Sequence, residues 1–234
     1  KGPRIPSRLV KSIAGPWAPL TTGRTLTFLA ASGCASALFG AMEILGAHEP
    51  RPAQGVGAAF GQLLLTAFVL AVSVLFHEIG HAAACIRVSG TVGAIRCSKR
   101  PRSFGVYTDI SSAGRASNAA KSAVYAAGSA FQIAFSGIVA LAGTVLIGVS
   151  HALLLASIVG IVIAIWCAIP RPGSDGHAFV LAAFGMDISP KLFAGANGPA
   201  DLVAGWALWI FRAVALLGVV MGAFFLATPG AFTR

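Results

Sequence analysis

Charge is scarce in this sequence. Only 10% of its 234 residues are Asp, Glu, Lys or Arg, whereas an average soluble domain carries roughly 25%. Acidic residues are the scarcest, seven in all. Long polar stretches are missing too, while 56% of the chain is hydrophobic and the mean hydropathy is +0.82. So little polar surface excludes an ordinary water-soluble domain and makes lipid the expected solvent. Cysteine is sparse: four residues at 34, 85, 97 and 167, without paired spacing and with three in or beside apolar runs. A disulfide framework is therefore not expected. No internal repeat or low-complexity tract is visible. The formal charge of +10 does not point to nucleic acid, because the basic residues sit between apolar runs. In a membrane protein that placement reports orientation.

What is abundant is apolar sequence in long blocks. A spanning helix needs about 20 mostly apolar residues. Runs near Thr25–Leu45, Ala58–Cys85, Ser122–Val149 and Ala152–Ile169 meet that need, and a fifth covers Ala204–Ala227. The first run lacks a small-residue cleavage site and reads as an anchor, not a signal peptide. Glu43 falls at an interface, and Arg212 snorkels or faces the bundle. Residues 176–203 are too broken by Gly, Pro and charge to cross, and are expected to form a short helix plus an interfacial loop.

Charge asymmetry sets the topology. Lys1, Arg4, Arg8, Lys11 and Arg24 precede the first run, and the 86–121 segment carries Arg87, Arg96, Lys99, Arg100, Arg102, Arg115 and Lys121. Arg51 stands alone before the second run, and the Ser150–His151 turn has no Lys or Arg. The positive-inside rule thus makes the N-terminal side and the 86–121 loop cytoplasmic. The expected fold is an all-α integral membrane protein of about five transmembrane helices. A basic segment (1–24) precedes a single embedded domain (25–234) with its core at about 58–191. In the 86–121 loop, alternation in Val92–Cys97 and Gly105–Ile110, split by basic Ser98–Phe104, suggests a hairpin. The alternative is a solvated loop facing anionic lipid.

The second run ends in His77-Glu78-Ile79-Gly80-His81. Residues four apart on a helix share a face, so both imidazoles can bind one metal. The intervening glutamate then stands where it can take a proton from a water that the metal activates. Zinc suits hydrolysis, which needs no redox change, although two histidines and a carboxylate also suit iron or cobalt. Ionisable groups inside a membrane are costly and point to function. A bland alternative is a helix end whose polar residues merely reach the interface. The candidate third ligand is Asp175, in Pro170-Arg171-Pro172-Gly173-Ser174-Asp175-Gly176, at about the depth of His81. Its other role would be the N-cap of a helix beginning at Gly176, but the matching depth favours the ligand. His177 and Cys85 are rival ligands, whereas His48 and His151 fall at the opposite membrane face.

Together, Phe76–Ala84 and Pro170–Gly176 resemble the site-2 protease family of intramembrane zinc metalloproteases, which share a His-Glu-x-x-His helix and a distant Asp-Gly motif. The resemblance runs from about Phe76 to Lys191. It includes Tyr107-Thr108-Asp109 and Ala127-Gly128-Ser129, which look like the stretch before the family's third core helix. The subgroup it looks closest to is the bacterial peptide zinc metalloproteases, with the stretch from His177 to Gly185–Pro190 in that style. The resemblance implies a bacterial cell-membrane enzyme holding Zn2+ through His77, His81 and Asp175, with Glu78 as catalytic base. It also implies a membrane protein or peptide substrate cleaved near the cytoplasmic face.

Two departures stand out. Where the family often has Gly-Pro-x-x-Asn, this chain reads Gly128-Ser129-Ala130-Phe131-Gln132. Gln132 either supplies a substrate-positioning amide or is a helix–helix hydrogen bond. The periplasmic PDZ domain that many members carry has no room in this sequence. Three other function classes stand beside proteolysis: a non-proteolytic peptide-binding or exporter-accessory module, a small transporter or channel subunit, and a hydrolase acting on a non-peptide bond.

Overall fold

A computed structural model describes residues 4–46, 55–100, 103–146, 150–170 and 173–186. Helix α1 (Ser7–Ala14) leads through a 3₁₀ turn (Gly15–Thr21) into α2 (Gly23–Gly46), and α3 spans Val56–Ser89. Helices α4 (Asn118–Val145), α5 (Ser150–Ala168) and the short α6 (Asp175–Ala183) follow. The four apolar runs before residue 170 thus each become a helix, and α2 to α5 are long and apolar enough to cross a membrane. The fifth run, Ala204–Ala227, lies outside the described residues, as do Arg212 and most of the 176–203 segment.

Helix α4 is the centre of the bundle: 67% of its apolar window is buried, against 11–39% for the other three. Its sequence explains that place, since small residues let neighbouring backbones approach closely. On α2, a Cβ added at Gly33 would lie 2.5 Å from the Ile133 carbonyl oxygen. A Cβ at Gly137 would meet the Gly33 carbonyl at the same distance. Helix α5 is fastened by hydroxyls instead, with Ser129 Oγ donating to Ala164 O (3.0 Å) and Ser157 Oγ to Ser136 O (2.7 Å). The outward faces carry large apolar side chains, among them Phe28, Leu38, Met42, Phe68 and Val162, all exposed.

Helix α3 stops where its sequence says it must. Gly90 adopts a left-handed φ of 72° and its N–H reaches back to Ile86 O at 2.7 Å, closing the last turn. The following loop contains the expected hairpin, with shifted bounds. Strands β2 (Ile95–Arg100) and β3 (Ser103–Thr108) pair antiparallel from Ile95↔Thr108 to Arg100↔Ser103. The basic Ser98–Phe104 stretch is therefore mostly strand, because pairing continues to Arg100↔Ser103. At the other end the ladder continues past the strands, with Gly93 N–H on Asp109 O and Asp109 N–H on Ala94 O. The all-α expectation is corrected further by β1 (Arg4–Ile5), which adds to β2 and gives a three-stranded sheet in the order β1-β2-β3. Pairing across ninety residues leaves no local sequence signal, since it depends on α1 packing Val10 and Ala14 into the core around Ile79, Val124 and Phe131.

Candidate metal centre

The C-terminal third of α3 carries the site. His77 and His81, one turn apart, face α4, and their rings stand 4.7 Å apart at 78°. Two glycines make that possible. A Cβ at Gly80 would lie 2.5 Å from the Ala127 carbonyl oxygen, so α3 and α4 touch backbone to backbone. A Cβ at Gly128 would fall onto both imidazoles, 2.8 Å from His77 Nε2 and closer still to His81. The Ala127-Gly128 stretch therefore clears the space that the two rings occupy.

Hydrogen bonds fix which ring nitrogens face inward. His81 Nδ1–H donates to the Val124 carbonyl at 2.7 Å, and His77 Nδ1–H donates to Gln132 Oε1 at 2.9 Å. Both partners are acceptors, so each Nδ1 carries a proton and each Nε2 presents its lone pair. These Nε2 atoms lie 3.1 Å apart. Asp175 Oδ2 completes the triangle, 2.9 Å from His77 Nε2 and 3.3 Å from His81 Nε2. Three lone-pair atoms converging in a buried site repel one another unless positive charge joins them. A metal ion meets that need. Bonds of about 2.0–2.1 Å to three tetrahedrally disposed ligands would set those ligands about 3.3 Å apart, close to the observed 2.9–3.3 Å. His77, His81 and Asp175 can hold a metal ion.

Asp175 arrives from the other side of the site by a designed break. Helix α5 ends at Ala168, Gly173 turns the chain with φ 85°, and α6 begins. Ser174, not Asp175, is the N-cap of α6: its Oγ accepts from His177 N–H (3.1 Å) and donates to Ile169 O (2.7 Å). That relieves Asp175 of the capping role and leaves its carboxylate to the histidines. Glycine follows because a Cβ at Gly176 would collide with the Ala168 carbonyl oxygen. Burial by itself would raise the Asp175 pKa. When protons occupy the two Nε2 positions in place of a metal, the His81 charge and hydrogen bonds from His77 and His81 outweigh burial and hold the carboxyl well below the usual carboxylate range.

Glu78 is 6% exposed and points to the sheet side of the same space. Thr108 Oγ1, on β3, donates to its Oε2 at 2.8 Å and lies 3.0 Å from its backbone carbonyl. A cavity of about 370 Å³ lies over the site, lined by His77, Glu78, His81, Thr108, Gln132 and Asp175. Sequence reasoning gave Thr108 no role. A hydroxyl in a loop strand gains one only when the hairpin folds back over α3.

Of the other residues singled out from sequence, Gln132 joins the site through His77. Its Oε1 is committed there, and its buried Nε2 has no hydrogen-bond partner among the described residues. The two rival ligands are not brought in. Cys85 Sγ sits beside Ser112 Oγ (3.2 Å) and Thr91 O (3.5 Å) under the α3 cap. His177 belongs to α6 but lies outside the ligand cluster. His151 opens α5, at the end away from Cys167, which lines the cavity. His48 lies outside the described residues. Set against known proteins, the chain matches no family model, no curated protein and no solved structure.

Proposed function

We propose that this chain is a membrane-embedded zinc peptidase of the site-2 protease type, hydrolysing a peptide bond of a membrane protein or peptide near the cytoplasmic face. One observation carries the reading: two Nε2 lone pairs and a carboxylate converge at 2.9–3.3 Å beside a buried glutamate. The surroundings agree with it. Four long apolar helices bearing outward Phe, Leu and Met suit lipid better than water.

Zinc held by His77, His81 and Asp175 would supply Lewis acidity, polarising the scissile carbonyl and making a water nucleophilic near neutral pH. The protein's own residues do the rest. Gln132 and the Val124 carbonyl keep both histidines in the ligating tautomer. The Glu78 carboxylate takes the proton of the attacking water and returns it to the leaving amine. Thr108 holds that carboxylate in place from β3.

A peptide must be extended to present its carbonyl. Among the described residues strand β3 is an edge strand of the sheet, and its Val106, Tyr107 and Thr108 line the cavity. Strand addition along that edge would lay an extended segment across the site.

The test is metal content of the detergent-purified protein beside Asp175→Ala and His81→Ala. About one zinc per chain in the parent, as a single catalytic site requires, and loss in both variants is the expected result. Parent protein that takes up no stoichiometric metal from added zinc would overturn the proposal and favour a peptide-binding module on the same scaffold.

A further inference from the structure

The segment Arg4–Thr21 is used by nothing in the mechanism, yet it is built with care. In α1, Val10 and Ala14 are buried at 2% and 0% and pack into the same core as Ile79 and Phe131. A second, adjacent stripe is apolar but exposed: Leu9 at 50% and Ile13 at 43%, continued by Trp17 at 40% and Leu20 at 38% in the 3₁₀ turn. A third face carries Arg8 and Lys11, both exposed, with Arg4 before it and Arg24 after. No acidic residue occurs between positions 4 and 24. One face docked, one apolar face open and one cationic face is the pattern of a helix lying in a headgroup layer.

Along the chain the stripe leads into α2, which begins two residues after the 3₁₀ turn and exposes Phe28 at 69%. On its inner side the segment reaches the site. The Trp17 ring lies edge-on to Phe76 (6.4 Å) and to Phe131 (6.2 Å), the neighbours of His77 and Gln132. Arg87 Nη1–H donates to Thr21 O at 2.7 Å and ties the end of the 3₁₀ turn to the last turn of α3.

We propose that Arg4–Thr21 is an interfacial arm whose exposed Leu9, Ile13, Trp17 and Leu20 enter a bilayer surface while Arg4, Arg8 and Lys11 bind anionic lipid headgroups. The occupant is lipid because the open apolar stripe leads along the chain into a helix long and apolar enough to cross a membrane, and anionic because every charge on the arm is positive. Through Trp17, the arm sets the depth of the metal centre relative to that surface. This rests on the membrane reading of the bundle, and the test separates the two.

The protein is reconstituted into vesicles of phosphatidylcholine alone or mixed with phosphatidylglycerol, with quencher groups at shallow or deep lipid positions. In a background where Trp166, Trp206 and Trp209 are replaced by Phe, Trp17 is the sole reporter. A second chain, with Trp17→Phe and Phe68→Trp added to that background, reports on the exposed middle of α3. The expected result is deep quenching of the Phe68→Trp reporter and shallow quenching of Trp17. Phosphatidylglycerol should enhance the Trp17 signal, and salt or the pair Arg8→Gln and Lys11→Gln should return it to the phosphatidylcholine level. In the unaltered chain, tryptic cleavage after Arg8 and Lys11 should slow several-fold in the anionic vesicles.

A Phe68→Trp reporter that no lipid quencher reaches would sink the membrane reading, and the arm with it. Deep quenching there with Trp17 untouched, and cleavage equally fast in both vesicles, would overturn the arm alone. Trp17 quenched equally in both vesicle types would refute the anionic preference.

Discussion

Replacing Gln132 by Leu gives the sharpest check on the site, because the sequence left this residue two roles, a substrate-positioning amide or a helix–helix hydrogen bond, and the structure places it in the second. In the structure Gln132 is 1% exposed and its Oε1 accepts the His77 Nδ1–H at 2.9 Å. Leucine removes the acceptor and leaves the N–H of a histidine that is only 6% exposed without that partner. An orphaned buried donor costs about 1–3 kcal/mol. At about 1.4 kcal/mol per decade that corresponds to roughly 5- to 140-fold in metal affinity, in line with the 10–100-fold typical of lost partners behind a ligand. Gln132→Glu keeps an acceptor and should stay within a few-fold of the parent. The assay is zinc competition against a chromophoric chelator in detergent, with thermal unfolding of metal-free protein to separate weakened binding from a weakened fold. Unchanged zinc affinity in Gln132→Leu would refute the claim that Gln132 sets the His77 tautomer. If affinity stayed constant and KM rose, Gln132 would revert to positioning substrate through its Nε2.

Other consequences can be checked alongside. Glu78→Gln should keep stoichiometric zinc and lose cleavage by at least the 10²–10⁴-fold expected of general acid–base catalysis, and retained turnover would remove Glu78 from the mechanism. Thr108→Val, which strips the hydroxyl from Glu78 Oε2, should lower kcat with zinc binding intact. Thr108→Ser should restore kcat, and equal loss in both would mean a packing role only. Gly176→Ala places a methyl on the Ala168 carbonyl, so α6 must shift and zinc loading should fall as in Asp175→Ala; full loading would show that α6 tolerates the displacement. Acidification should release zinc by protonating the imidazoles, since ligating histidines must be neutral. Asp175, held below the usual carboxylate range, stays ionised down to and below about pH 4, so its share of stability persists at pH 5 and is lost only in stronger acid. Zinc retained undiminished at pH 5 would contradict ligation by two imidazoles.

Local pattern made much of this protein legible. Four helices could be read because about twenty apolar residues in succession have one stable form once backbone groups must be satisfied internally. The His77–His81 pair was equally plain, since helical periodicity alone puts both rings on one face. Tertiary structure decided the rest. It chose Asp175 over Cys85 and His177 because Ser174 took the cap and α6 packed against the end of α5. It turned most of the Ser98–Phe104 stretch into paired strand, added β1 from ninety residues away, and swung Thr108 onto Glu78. It gave Gln132 to His77, fifty-five positions distant. Each of these depends on which backbone lies against which, a property of close packing at Gly80, Gly128 and Gly176 that no run of neighbouring residues encodes.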